Sequence, residues 1–427
     1  MSRLKQLARY ISNVFHVPHL VKGVTDFRDK ARIQRQTSSV LLAWIIGFCA
    51  RIQSREELGR LLDRRAVQKL VGCHISSDTL GRVLGQIHSD SLRTSLLVPI
   101  VREIRRNKAW KGGTIHTQLL VGIDGSESFC TRSQPCPQCL SRHVEVRMHA
   151  QLSRVTEHYH AAVWAFIIGT HPRIYLDVEP IQPGEGEVTA AKRLVTRLVK
   201  HYGRWIDGFV ADANFASAPF LNHIRSLGRH YIVRVKDEQR RHLTRDAAGL
   251  FSQRPADRIW IERVGHHDLQ VSAWDEEGLT SWEGLQEPAR VVACDELELP
   301  HSPSRRRKLA HPETQRPRSF LATSYPKQIF PTHAVWLAYH RRWDIENNAF
   351  RQLKHEWHWD HPFVHTPAAL LNLWLLMAVA ANLFMAFVDR RLRSGRANRI
   401  PSRAIAQEIA AALRLFSCDE MPCFDTG

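Results

Sequence analysis

A disulfide-scaffold pattern of cysteines, a second long apolar run and acidic residues are what this sequence lacks. Its eight cysteines are scattered over 427 residues, which excludes a small disulfide scaffold and makes a reducing cytoplasmic setting the expectation. Met1 to Asn13 is amphipathic and basic, so no secretory signal is read there. Pro367 to Val388 is long enough to span a bilayer, with Arg390, Arg391 and Arg393 behind it. Asn372 and Asn382 interrupt it and no second span accompanies it, so the expectation is a helix buried against a sheet and no membrane partner. Acid is the largest shortage: 42 Asp and Glu face 60 Lys and Arg, a net charge of +18. Residues 1–110 hold 20 Lys and Arg against 8 Asp and Glu, so two thirds of the surplus sits in a quarter of the chain. Such asymmetry implies a polyanionic partner, nucleic acid foremost. The hydrophobic share of 44% and charged share of 24% exclude wholesale disorder, and the length allows two or three domains.

What is present begins with helices. Residues 1–112 read as helical throughout, with an apolar stretch from Thr37 to Ala50 and capping residues at Ser76, and form a candidate DNA-binding region. From Leu119 the periodicity changes. LLVGID, HAAVWAFIIG and RIYLDVEPI read as strands, followed by a helix from Gly184, the strand GFVAD, the helix ASAPFLNHIRSL and the strand HYIVRVK. That order describes an α/β domain whose first part covers 113–236. Residues 237–331 break the pattern with short strand-like pieces and a basic loop from Ser304 to Arg318, and read as a β-rich insertion that does not continue the α/β core. Residues 332–427 are helical again.

Two of the apolar runs end on an aspartate, LLVGID on Asp124 and GFVAD on Asp212, and the helical segment YHRRWDIENNAFRQLK carries Glu346. Aspartates at strand ends are common turn openers, so each alone has a structural reading. Together, two strand-end carboxylates and one helix carboxylate have the chemistry to hold two hard divalent cations, equipment suited to breaking phosphodiester bonds. At about 100° per residue, Tyr339, Arg342 and Glu346 fall within about 60° of helix arc. A phenol and a guanidinium beside a metal-binding carboxylate suit contacts to phosphates.

The segments VGIDGSE, VADANFASAPF and YHRRWDIENNAFRQLK together resemble the catalytic segments of DDE transposases, in particular the bacterial insertion-sequence-4 type with its Tyr-Arg-Glu-Lys signature. Tyr339, Arg342 and Glu346 match that signature; its lysine position, 353, holds Leu, and Lys354 follows one residue late. In an uninterrupted α-helix that offset turns Lys354 about 80° away from Glu346. The resemblance implies a ribonuclease H-like core, a mixed five-stranded sheet with flanking helices, interrupted by the insertion. It also implies a triad of Asp124, Asp212 and Glu346 binding two magnesium or manganese ions. Nicking at element ends would precede attack of a 3′-hydroxyl on target DNA. Tyr339, Arg342 and Lys354 would contact the DNA, and Trp343 is either a stacking partner for an unpaired base or a core residue. Partners would be terminal repeats, target DNA and a second copy in a homodimer, in the cytoplasm of a bacterium at the nucleoid. Two other readings stay open: a catalytically inactive DNA-binding descendant and a structure-specific nuclease on the same fold.

Cys130, Cys136 and Cys139 follow the first aspartate-ending strand in FCTRSQPCPQCLSRH, with His143 close behind. A Cys-x-x-Cys with a third cysteine and a histidine has the ligand types of structural zinc, the alternative being plain reduced thiols. His149, His158 and His160 offer further ligands from the returning strand. The run HEWHWDHPFVH from His355 is ligand-rich as well, but is read as the end of the Glu346 helix and its following turn.

Overall fold

The computed structural model describes residues 1–29, 31, 33–148, 151–236, 241–264, 267–299, 314–392 and 400–424. In chain order, the longer strands begin with β1 (Gln118–Thr131), β2 (Leu140–Met148), β3 (Gln151–Ile167) and β4 (Ile174–Pro180). They continue with β5 (Gly208–Ala211), β6 (His230–Val235), β7 (Arg258–Val264), β8 (His267–Leu279), β9 (Ala289–Glu298) and β10 (Thr314–Thr323). The helices that matter below are α1 (Thr37–Cys49), α2 (Glu187–Tyr202), α3 (Ala218–Ser226), α4 (Thr332–Asp344), α5 (Arg351–Trp357) and α6 (Pro367–Ala386). Two compact units result. The first comprises Met1–Gly113, Asp124–Gly203 and Ile345–Gly427, and the second Thr114–Ile123 and Arg204–Asp344. Strand β1 therefore changes unit between Ile123 and Asp124.

In the first unit the helical N-terminal region and α6 build one core. Helix α1 is buried from Ser39 to Cys49, as its unbroken apolar run requires, and α6 is the 20-residue helix that it packs on. α6 is long and apolar enough to cross a membrane by length and composition, yet 94% of its most apolar window is buried inside the protein. Its two asparagines explain how. Asn372 donates to the carbonyls of Leu84 and Ile87 at 2.8 and 2.9 Å, and Asn382 exchanges bonds with the Tyr175 backbone in β4 at 3.0 and 2.8 Å. Both buried amides donate to backbone carbonyls, and Asn382 also accepts from the Tyr175 N–H, so the helix packs on β4 as well as on its helical neighbours.

The sheet of this unit runs β1–β3–β2, with β4 also paired to β3. Strand β3 is 17 residues long and gives its first half to β2 (Leu140↔Tyr159 to Met148↔Gln151) and its second to β4 (Ala162↔Pro180 to Ile167↔Ile174). The sequence pattern marks only the apolar second half, because the first half, QLSRVTEHYH, is polar and hairpin-paired. A buried charge cluster ties helical region to sheet: Arg93 donates to Asp177 at 2.9 Å and to the Val178 carbonyl at 3.1 Å, while Arg197 of α2 binds the same carboxylate and Glu179.

The second unit overturns one expectation. Its strands pair in the order β7–β8–β9–β10–β6–β5–β1, so the segment read as a separate β-rich insertion continues the core sheet. The junction is β10, which pairs antiparallel with β6 from Phe320↔Val235 to Thr323↔Ile232. The expected five-stranded sheet is correspondingly too small. Of the basic stretch from Ser304 to Arg318, residues 314–318 lie in β10, and 304–313 fall outside the described residues. β5 and β6 are parallel and largely buried, and the chain between them carries α3, the crossover that parallel neighbours need.

Candidate functional site

The parallel pair β1 and β5 registers from Leu120↔Gly208 to Gly122↔Val210. Asp212 directly follows the end of β5, as expected, but Asp124 is not at a strand end: β1 runs on through it to Thr131, because the polar residues after it continue the strand. Asp212 caps the short turn Ala213–Phe215 by accepting the Asn214 N–H at 2.9 Å, so its carboxylate orientation is fixed by local backbone. Asp124 is buried, and its Oδ1 accepts the Gly125 N–H at 2.9 Å. Gly125 leaves room there for the Glu187 carboxylate at the start of α2, which a Cβ on it would displace. By sequence, Glu187 is only an acid at the favourable end of a helix dipole; nothing local signals its approach to β1. Asp124 and Glu346 belong to the first unit and Asp212 to the second.

Glu346 sits where the helix type changes. α4 gives way to a π-helical turn, Ile345–Phe350, before α5 resumes α geometry; the Glu346 side chain lies outside the described part of the structure. A π turn closes about one residue later than an α turn, so it absorbs a one-residue insertion without rotating the residues beyond it. The rotation expected for Lys354 assumed an uninterrupted α-helix. With the π turn counted, Lys354 takes the angular place that position 353 would hold in a plain helix, on the side of Glu346. The one-residue delay of the lysine and the π turn compensate each other. Lys354 is half-buried, with its Nζ 5.9 Å from the centre of the Trp359 ring.

In the second unit, Arg342 is buried and its guanidinium lies 5.2 Å from the Tyr339 ring centre. Tyr339 and Trp343 line a cavity of about 240 Å³ together with Arg234, Arg316, Trp336 and His340. Trp343 is 52% exposed, so it is not a core tryptophan.

The cysteine–histidine prediction is half corrected. Cys136 and Cys139 do meet two histidines, but these are His160 of β3 and His365 from the segment after α5. Cys139 Sγ lies 3.7 Å from Cys136 Sγ, 3.4 Å from His160 Nε2 and 3.2 Å from His365 Nε2; Cys136 Sγ lies 3.3 Å from His160 Nε2. Cys130 is exposed and outside the cluster. His143 is also exposed, with Nδ1 3.3 Å from the Thr156 hydroxyl across the β2–β3 hairpin. Residue alternation explains both: the β1–β2 loop turns Cys136 and Cys139 inward while Cys130 and His143 face outward on their strands. His158 is not among the four, and His149 falls outside the described residues. Burial, aided by repulsion from His365, pushes the His160 imidazole down to about 4, so it is neutral at physiological pH. Burial also holds His365 below its ordinary value. Two imidazoles whose Nε2 atoms converge on two thiols have the donor set of a zinc site.

Among known proteins, the family model described as Transposase DDE domain matches residues 162–383. That span contains Asp212 and Glu346 and begins downstream of Asp124. A solved structure, the piggyBac transposase in a synaptic complex with hairpin DNA, is similar at a TM-score of 0.43 and 10% identity. The similarity covers 96% of this chain and 80% of that one. No curated protein matches the chain. With the family match spanning just over half of its length, the chain belongs to the DDE transposases, and it is a polynucleotidyl transferase.

Proposed function

We propose that this protein nicks DNA at the ends of an insertion sequence and joins the freed 3′ ends to target DNA, using Asp124, Asp212 and Glu346 on a ribonuclease H-like core. The observation that supports the reading is the match of residues 162–383, which include Asp212 and Glu346, to the Transposase DDE domain family. Both aspartates have an oxygen held by a backbone N–H, which fixes hard donors of the type that magnesium or manganese prefers. Two such ions would supply charge stabilisation to the attacking and leaving oxygens. On this reading Arg342, Tyr339 and Lys354 contact the DNA backbone, and the exposed Trp343 is available to stack on an unpaired base. The basic helical region reads the terminal repeats, two copies synapse two ends, and the protein works at the bacterial nucleoid.

The test is magnesium-dependent cleavage of duplexes carrying the element's own ends. Wild-type protein is expected to nick at the ends, and Asp124→Asn, Asp212→Asn and Glu346→Gln are each expected to abolish nicking while DNA binding persists. Retained cleavage in any one variant removes that residue from the set. End binding without cleavage by the wild type marks a binding-only descendant, and cleavage of branched DNA with no preference for ends marks a structure-specific nuclease.

A further inference from the structure

The cluster at Cys136, Cys139, His160 and His365 lies wholly within the first unit and is drawn from three separate segments: the β1–β2 loop, β3, and the stretch after α5. Its four donor atoms all fall within 4.8 Å of one another. A tetrahedral zinc with bonds of about 2.3 Å to sulfur and about 2.05 Å to nitrogen separates its sulfurs by about 3.8 Å and sulfur from nitrogen by about 3.6 Å. The measured separations of 3.7 Å and 3.2–3.4 Å meet that geometry within a few tenths of an ångström. The Cys-x-x-Cys turn is preorganised: the Cys139 N–H donates to the Cys136 carbonyl at 3.1 Å and the Cys136 N–H to Cys139 Sγ at 3.3 Å. Soft thiolates with imidazoles, and no carboxylate among the four, select zinc over magnesium or calcium.

We propose that these four residues bind a structural zinc ion that pins the far end of β1 and the loop after it to the segment following α5. Four protein donors complete a tetrahedron and leave no open position, so the ion serves as a clamp. The neighbouring contacts run the same way. Ser128 of β1 donates to the Trp359 carbonyl at 2.7 Å, and the Phe129 ring packs against both His160 and His365, with centroids 5.5 and 5.1 Å apart. Strand β1 carries Asp124 and the helical run ending in α5 carries Glu346, so the clamp joins two of the three carboxylate-bearing elements. This role rests on the function proposed above; the zinc site itself does not.

Metal analysis of the full-length protein, purified with zinc and without chelator, tests the site directly. Stoichiometric zinc is expected, and cobalt substitution is expected to give the intense visible bands and thiolate charge transfer of a tetrahedral two-sulfur, two-nitrogen site. Cys139→Ser and His365→Ala should lower metal affinity by at least about 10²-fold, while Cys130→Ser and His143→Ala keep full zinc. Metal-free wild-type protein that shows no tetrahedral cobalt spectrum overturns the proposal, as does zinc lost with Cys130 or His143 and kept without Cys139. A disulfide between Cys136 and Cys139 in place of metal, shown by thiol counting, also overturns it. If the ligand variants fail to fold, the wild-type cobalt spectrum decides alone. Zinc bound at the four residues in a protein that cuts no DNA would leave the site standing and remove only the proposed function.

Discussion

The two metal sites proposed for this chain are built on opposite principles. The cysteine–histidine set belongs to a single unit and its donor atoms already converge, with His160 buried and the Phe129 ring packed on both imidazoles. The carboxylates are divided, Asp124 and Glu346 in one unit and Asp212 in the other, and the two aspartates are oriented by the backbone next to them. Carboxylates brought close without a cation repel, so local caps are the way to hold them ready. The first arrangement suits an ion that is part of the fold, the second suits ions that exchange with the medium.

Selective metal removal gives the largest expected difference. Depleting magnesium should abolish cleavage, by about 10³-fold or more, with no change in thermal midpoint, and restoring it should recover activity. Stripping zinc with a thiol-competitive chelator should instead lower the midpoint by several degrees, because binding free energy at a structural site is folding free energy. Calorimetry and cleavage measured on the same samples check this. A midpoint that falls when magnesium is withdrawn, or stays put when zinc is withdrawn, breaks the contrast.

Asp177 sharpens the comparison by showing what a purely structural carboxylate looks like here. It is buried between Arg93 and Arg197, and although burial pushes its carboxyl up, the two guanidiniums more than offset this and hold it below the ordinary value. With the folded value depressed, its stabilisation is present above the unfolded value of about 3.9 and is lost as pH falls through the folded value. Asp177→Asn should therefore destabilise by about 3–5 kcal/mol at neutral pH and flatten the acid limb of the stability profile. Denaturant titrations from neutral pH down to pH 3 read both effects. Asp212→Asn, by contrast, should remove cleavage.

Gly125→Ala is expected to act between these extremes. The new methyl group displaces the Glu187 carboxylate, the far end of a flexible side chain, so stability should move by no more than about 1 kcal/mol. Displacement beside Asp124 should nevertheless slow nicking on the order of 10²-fold, as small misplacements at a reacting centre do. A stability loss without a rate loss would make Gly125 a packing residue only.

The candidate carboxylates stood out because short apolar runs ending in Asp are local patterns, and so is the amphipathic stretch around Glu346; that β1 runs on past Asp124 to Thr131 was not legible, because its second half is polar. The cysteine–histidine cluster was only half legible. Cys136 and Cys139 announce themselves by spacing, but His365 lies 226 residues from Cys139, and only the packing of the segment after α5 on β1 and β3 brings it in. Cys130 and His143 looked equally suitable because sequence proximity says nothing about which side of a strand a residue faces. The sheet was underestimated for a similar reason: the pairing of β10 with β6 joins residues about 90 apart, and the intervening polar turns resemble those of an independent insertion.

The smallest effect concerns Lys354, and there the failure of sequence reasoning is itself testable. Spacing alone turned this lysine away from Glu346; the π turn at Ile345–Phe350 turns it back. Deleting the exposed Asn347 removes one residue from that turn and should convert it to α geometry, leaving Lys354 and the buried Trp357 in place. Deleting Gln352 instead, beyond the turn, rotates Trp357 by about 100° out of its packed position and should unfold the segment. Circular dichroism and thermal midpoints separate the two deletions. Lys354→Ala should weaken DNA binding by about tenfold and lower the salt slope by about one, the signature of one lost phosphate contact. If the Asn347 deletion keeps the fold but matches the affinity and salt slope of Lys354→Ala, the π turn does not set the lysine's direction. If it keeps wild-type binding, the one-residue delay and the π turn are a single compensated change.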